Sequence, residues 1–314
     1  MSLPFLRCAF ALVALWFAAS ATGAAAVIGL TTIVDADAVL VRDVARFGLV
    51  EGVALEAGDI LETGARTGIV RTELADGTVL DLGPDTRLLL APRARGVASG
   101  PAAGLYVLQG WIKLALAAKS GAAPRSAVLI DSPVVDVGVV SGVVVERVAG
   151  GGVTLFQESG QSTIVEPGTP KGSAPRPVKA GETYAWRDGR ASVQSRPDPS
   201  FVAALPTAFR DTLPTRADLF RNSLRNPKPL PAPTYADLEP WLTGEPSLRA
   251  ALLPRWQRLA KVPEFRAALI AHRKTHPEWE RILFPPPPPP PPEVLAPNDR
   301  PARPSGDGSS PYPR

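Results

Sequence analysis

The sequence predicts an all-β main domain of solenoid, roll or sandwich type, followed by a small α-helical region and a polyproline and disordered tail. Three observations predict this order. From about Gly48 to Gln194 the chain is rich in valine, leucine, isoleucine and threonine, with glycine or Asp-Gly turn signals recurring at about 8–12 residues, the spacing of short strands. After Pro197, three segments each open on proline and carry apolar residues at helical spacing. Pro285 to Pro292 is an unbroken run of eight prolines.

Taken in order, the chain divides into seven stretches. Residues 1–26 have one basic residue, Arg7, an apolar run of twelve from Cys8 to Ala19, and a small-residue exit with cleavage positions around Ala21, Ala24 and Ala26. Those are the three parts of a secretory signal peptide. Twelve helical residues reach roughly 18 Å, too short for a bilayer core of roughly 30 Å. Cys8 would leave with the signal, so the exported chain would hold no cysteine. The expected location is the periplasm, or outside the cell, of a Gram-negative organism. An uncleaved anchor is the other reading of the same residues.

Residues 27–46 form a lead-in and 47–196 the β domain. Its clearest hairpin runs from Gly68 to Ala75, turns at Asp76-Gly77 and returns from Thr78 to Leu82. Asp-Gly suits a tight turn in which both central residues take positive φ. Gly83-Pro84-Asp85, Gly110, Gly150-Gly151-Gly152 and Asp188-Gly189 mark further turns, and Leu105–Ala118 is ambiguous between strand and helix. Residues 91–104, 119–126 and 167–177 read as exposed loops.

A proline-rich linker, 197–233, leads into a bundle of short helices at 234–284. Its signals are Thr234 as a helix cap and the parallel openings at Pro246, Pro263 and Pro277. The octaproline, 285–292, should form a stiff spacer of roughly 25 Å. Residues 293–314 are almost without apolar anchors and are expected to be disordered.

Composition excludes more than it names. Of 314 residues 45% are apolar and 20% charged; one is cysteine and two are histidine, His272 and His276. That rules out a disulfide framework, thiolate zinc sites and iron–sulfur clusters. The net charge of +4 is concentrated after Pro197, and no aromatic-interleaved arginine cluster marks a nucleic-acid surface. His272 and His276 have the spacing of two metal ligands on one helix face, but His276 precedes Pro277, which pushes it out of helical geometry. Carboxylate pairs such as Asp131 with Asp136, or Glu56 with Asp59, do not stand out among 30 acids. Ser132 and Ser141 have no base in the same domain. No catalytic, metal-binding or cofactor-binding residue is assigned, and no cofactor is expected.

The turns and strands of the β region also come in a recognisable order. Gly58-Asp59-Ile60-Leu61-Glu62-Thr63-Gly64 is followed by Thr72-Glu-Leu-Ala-Asp76-Gly77-Thr-Val-Leu. Next come the strand around Gly110, then Asp131-Ser132-Pro133-Val-Val-Asp-Val-Gly, and finally Val178-Lys-Ala180-Gly181-Glu182-Thr-Tyr. Over about 150 residues, Phe47 to Arg196, this resembles the FecR protein domain. It departs where that family commonly has Val-Arg-Gly-Thr, with Val139-Val140-Ser141-Gly142 instead, and in having Ser-Pro for Thr-Pro. The resemblance implies an exported β-rich module that works by contact rather than chemistry. The family's anti-sigma role belongs to a cytoplasmic arm, for which a signal peptide at residues 1–26 would leave no room, so that role is not expected here.

The expected function is therefore that of a non-enzymatic envelope protein serving as an interaction, signalling or scaffold module. Its expected partner is another envelope protein, with no nucleic acid, and with a membrane met only through an uncleaved signal. The alternative is a carbohydrate- or peptidoglycan-binding structural protein. It would use Trp111, Tyr184 and Trp186, which either stack on sugar rings or fill the core. Trp241, Trp256 and Trp279 read as core of the helical part.

Overall fold

The computed structural model describes residues 27–92, 103–117, 127–170 and 173–286. The expected export signal, the tail and most of the polyproline run lie outside the described residues, as do most of the loops expected at 91–104 and 119–126 and part of that at 167–177.

Sixteen strands follow one another: β1 (Val27–Val34), β2 (Ala38–Arg42), β3 (Ala45–Gly48), β4 (Ala54–Glu56), β5 (Ile60–Thr63), β6 (Val70–Leu74), β7 (Val79–Leu82), β8 (Arg87–Pro92), β9 (Ala103–Ala115), β10 (Val128–Asp131), β11 (Asp136–Ala149), β12 (Gly152–Val165), β13 (Arg176–Lys179), β14 (Thr183–Arg187), β15 (Arg190–Gln194) and the two-residue β16 (Lys228–Pro229). They join in one sheet whose main path is β15-β14-β12-β11-β10-β9-β8-β5-β2-β3-β16, with β1, β4, β6, β7 and β13 attached beside it. All pairs of these strands are antiparallel except β9 with β10. The lead-in residues thus supply β1, β2 and the start of β3, and the ambiguous stretch from Leu105 is strand β9.

The sheet closes around one core because three strands are long enough to serve two layers. The first part of β9 pairs with β8 and β10; its last four residues lie between β7 and β11. The 14-residue strands β11 and β12 pair along nearly their whole length but bend midway, where Gly142 and Gly160 face each other at φ 81° and 78°. A Cβ on Gly142 would stand 2.0 Å from the Ser159 carbonyl oxygen, so no larger residue fits that bend. Leu40, Leu61, Val70, Leu82, Leu88, Leu105, Ile112, Val144 and Leu155, from eight strands, meet in the enclosed cluster.

The β6–β7 hairpin forms as expected, but its turn differs. Asp76 is not at positive φ; only Gly77 is, at 82°. Gly77 N–H donates to Leu74 O at 2.9 Å, and Leu74 N–H to Thr78 O at 2.8 Å, the pattern of a three-residue loop closed by a left-handed glycine. Asp76 spends its side chain on Thr78 N–H instead (2.9 Å), which stabilises the longer loop. The two-residue turn with both φ positive is found at Asp188 (50°) and Gly189 (72°), joining β14 to β15.

The proline-rich stretch 197–233 is laid along the sheet. Helix α1 (Pro199–Ala204) and the 3-10 turn after it place Phe201 and Phe209 against Trp111 and Val145. Further on, Arg71, bidentate to Asp81 at 2.7 and 2.8 Å, also donates to Leu213 O, while Glu73 accepts from Arg216 N–H (2.7 Å) and Ala217 N–H (3.0 Å). This roof is why all five residues of β6 are buried.

Four more helices follow: α2 (Tyr235–Leu242), α3 (Pro246–Trp256), α4 (Pro263–Ala271) and α5 (Glu280–Leu283). Thr234 caps α2 through a capping box closed by Asp237, and α3 and α4 open on proline. Trp241, Trp256 and Trp279 are buried together with Val41, Ile60, Leu89 and Tyr106, which are the outward residues of β2, β5, β8 and β9. No helix among the described residues is long and apolar enough to cross a membrane.

Candidate functional site

The family-motif residues do not gather in one pocket; each holds a turn or a strand end. Gly58 and Asp59 form the turn before β5. Buried Asp59 accepts Arg42 Nε at 2.8 Å, Arg42 Nη2 at 2.6 Å and Glu56 N–H at 2.8 Å. Thr63 Oγ1 donates to Gly83 O (2.6 Å) and accepts Thr86 N–H (2.9 Å), and Gly64 N–H donates to Thr67 Oγ1. Gly110 marks the place where β9 leaves β8 for β11. Ser132, before Pro133, donates to Val135 O at 2.7 Å and closes the β10–β11 turn. Ala180, Gly181 and Glu182 join β13 to β14, with Glu182 Oε2 accepting Lys179 N–H at 2.8 Å. Ala21, Ala24 and Ala26 lie outside the described residues.

What the fold does bring together is the end of the sheet at the β11–β12 and β14–β15 hairpins. A cleft of about 540 Å³ is lined there by Arg147, Thr154, Arg187 and Ser200 beside the Gly150–Gly152 tip. A neighbouring cleft of about 190 Å³ is lined by Arg187, Arg190, Ser192 and Gln194. Register explains the arrangement. Trp111, Arg147, Thr154, Ala185 and Ser192 are successive cross-strand partners and share one face of the sheet. On that face Arg147 stacks on the Trp111 ring at 4.9 Å, and Phe201 packs near the same ring, 5.2 Å between centroids. Arg187 Nη2 donates to Thr154 Oγ1 at 3.3 Å. Asp188 and Asp198 sit on the rims, so charge is mixed. Hydrogen bonds from the Ser200 hydroxyl and N–H hold Asp198 below the usual carboxylate range. Such a lining suits polar contact with a partner's surface.

The opposite face tells a second story. The next cross-strand row is Ile112, Glu146, Leu155, Tyr184 and Val193, from β9, β11, β12, β14 and β15. Its first four members are buried in the main core, but Val193 is 42% exposed, because β15 is the last strand of the path. The apolar row runs off the edge of the sheet. Glu146, inside it, has no access to solvent, and neither of its oxygens has a hydrogen-bond partner among the described residues. Burial, helped by the charge of Asp131, pushes its carboxyl up to about 8. The alternation Val144, Glu146, Val148 was the signal that would have placed it inward.

Of the aromatic positions that sugar stacking needs, Trp111 and Tyr184 are buried, and Trp186 is half-buried, packed in part on the core. His272 ends α4 and stacks on Tyr235, 5.0 Å between centroids. His276, just before Pro277, is buried with Nε2 3.3 Å from the Tyr235 hydroxyl, and burial lowers its pKa. The two histidines thus flank one tyrosine across the helix end. Among the described residues no group of three or more His, Cys, Asp and Glu side chains is placed to hold a metal ion.

No protein-family model matches this chain, and no curated protein matches it. Two solved structures of a candidate anti-sigma factor from Parabacteroides distasonis ATCC 8503, at 2.50 and 1.65 Å resolution, are similar in part. Each is 14% identical and aligns with 46% of this chain, with TM-scores of 0.36 and 0.35. This chain spans 62% and 63% of their lengths. TM-scores below 0.5 do not establish a common fold, so the FecR resemblance rests on the sequence motifs.

Proposed function

We propose that this chain is an exported, non-enzymatic FecR-like envelope protein that works by contact, and that a protein partner adds an extended segment to the edge of β15. The observation that carries this reading is Val193, the exposed end of an otherwise buried, mainly apolar row on a strand with no further neighbour among the described residues. An added strand would cover Val193 and pair the outward backbone groups of β15. Strand β13, likewise paired on one side only among the described residues, is blunted by Pro177 and begins and ends on Arg176 and Lys179. Export and the periplasmic location belong to the same proposal and rest on the three-part N-terminus.

The hairpin geometry supplies a clean test. In a two-residue hairpin the closing pair, Arg187 with Arg190, is hydrogen-bonded, and bonded pairs alternate from there. Ser192 therefore faces β14, while the N–H groups of Ala191 and Val193 point outward. Val193→Pro removes an outward donor and leaves the ladder to β14 whole. A C-terminally tagged chain is crosslinked in intact cells of the source organism and purified from the envelope fraction. We expect one envelope protein in near-equal amount, lost in V193P while the far-UV circular dichroism is kept. Equal recovery with V193P sinks the β15 assignment. Recovery of the chain alone, or with glycan fragments only, sinks the protein-partner reading and favours the glycan one.

A further inference from the structure

We propose that residues 217–230 form a basic, leucine-bearing ridge that docks on an anionic lipid surface. Leu219, Leu224 and Leu230 are 66%, 57% and 38% exposed, and they are the exposed leucines among the described residues. Three such leucines within twelve residues of one connection are not required by the fold, whose own anchor there is Phe220. That ring is buried over Gly52, where an added Cβ would stand 3.0 Å from it.

The ridge is fixed rather than loose. Arg225 N–H donates to Gly52 O at 2.9 Å, and Arg225 bridges to Val53. Lys228 and Pro229 pair with Gly48 and Phe47, and Leu230 N–H donates to Arg46 O at 3.0 Å. Between Leu219 and Leu224 the chain makes one turn, with Ser223 N–H on Phe220 O (3.0 Å) and Ser223 Oγ on Leu219 O (3.3 Å), so the two leucines share that turn. Their exposure is therefore built into a held backbone.

Charge selects the occupant. From 216 to 230 the basic residues are Arg216, Arg221, Arg225 and Lys228, and the only acid is Asp218. Arg216 is matched by Glu51 and Arg221 by Asp218. Arg225 and Lys228 are exposed and make no ion pair among the described residues. Leucines flanked by unmatched cations suit an anionic bilayer. The apolar tips enter the boundary of headgroup and acyl chain, and each cation near the surface adds attraction. A protein partner on the same ridge would need facing carboxylates, and it is an outcome of the test below. The ridge adjoins β3 and β16, at the other end of the strand path from β15, so this contact is independent of the one proposed for Val193.

The apolar run at Cys8–Ala19 would itself bind vesicles, so the readout must report from the ridge. In the full chain with Cys8→Ser, an environment-sensitive fluorophore is attached at Leu224→Cys, and in a second protein at Val165→Cys. Val165 is an exposed position on β12. Each is mixed with phosphatidylcholine vesicles with and without phosphatidylglycerol. Contact at the acyl boundary should raise emission about twofold and shift it to the blue at position 224, with anionic vesicles only. Position 165 should stay silent. Adding Arg225→Glu and Lys228→Glu should abolish the response while circular dichroism is unchanged, since both side chains are exposed. No response at 224, an equal response at 165, or a response that survives both charge reversals overturns the proposal. Silence with vesicles but a response to envelope protein would reassign the ridge to a protein partner.

Discussion

Glu146 is the residue whose chemistry departs furthest from its surroundings. It stands between Ile112 and Leu155 in the main core with both oxygens unpartnered among the described residues. A buried charge without a partner is costly, so the carboxyl stays protonated in the fold, with its pKa near 8. In the unfolded chain it ionises near the ordinary glutamate value of about 4.3. Between those two pH values the unfolded state releases a proton that the folded state keeps, so stability falls as pH rises and levels off above about 8. Glu146→Gln removes this slope. Urea unfolding of both proteins at pH 5 and pH 8 should show the variant gaining on the parent by a few kcal/mol at the higher pH. Parallel profiles would mean that the carboxyl has a partner in solution. The residue was legible only in hindsight. Its inward position follows from alternation with Val144 and Val148, but nothing in the sequence sets this glutamate apart from the other 29 of its 30 acids.

At the scale of elements, turns and caps were legible and pairings were not. The capping residue Thr234, the opening prolines of α3 and α4, and the hairpin at Asp76-Gly77 are local chemistry and can be read locally. The Asp-Gly pair misled only over the turn type, because Asp76 can bond Thr78 and so support the longer loop. Which strands pair is a long-range matter: β1 lies between β4 and β6, and β9 changes partners halfway along. The site lies at hairpin ends that only this register brings side by side. The bend in β11 and β12 is where such a topology is most sensitive. Gly142 combines positive φ with a carbonyl oxygen in the place of a Cβ, whereas Gly150, also left-handed at 56°, has open space around it. Gly142→Ala should therefore destabilise by at least about 2 kcal/mol, and Gly150→Ala by about 1 kcal/mol, through backbone strain alone. Denaturant midpoints of the two variants check this, and equal losses would mean that the bend yields without cost.

At the scale of the whole molecule, the helices and the sheet share one apolar seam. The outward faces of Val41, Ile60, Leu89 and Tyr106 belong to the same apolar cluster as Trp241, Trp256 and Trp279. Polar ties cross the same seam. Trp256 Nε1 donates to Asp43 O (2.9 Å), Trp241 Nε1 to Glu62 Oε1 (2.7 Å), and Arg46 pairs with Asp237 at 2.9 Å. Removing the helices would leave four large residues of the sheet facing water, and removing the sheet would leave two indole N–H groups without acceptors. The helices close no core alone, and the sheet would keep its enclosed core but bare a second apolar face. Heating should therefore give one transition, with tryptophan fluorescence, to which the helical region contributes three of the chain's six tryptophans, and the far-UV signal of the strands changing at one midpoint. Trp256→Ala opens the middle of the seam and should cost about 3–5 kcal/mol. It should lower both midpoints together, because the sheet loses its cover when the helices lose their anchor. A fluorescence midpoint that falls while the strand signal holds would show the helices to be a separable clasp, and would make the sheet face under them a surface that the protein can expose.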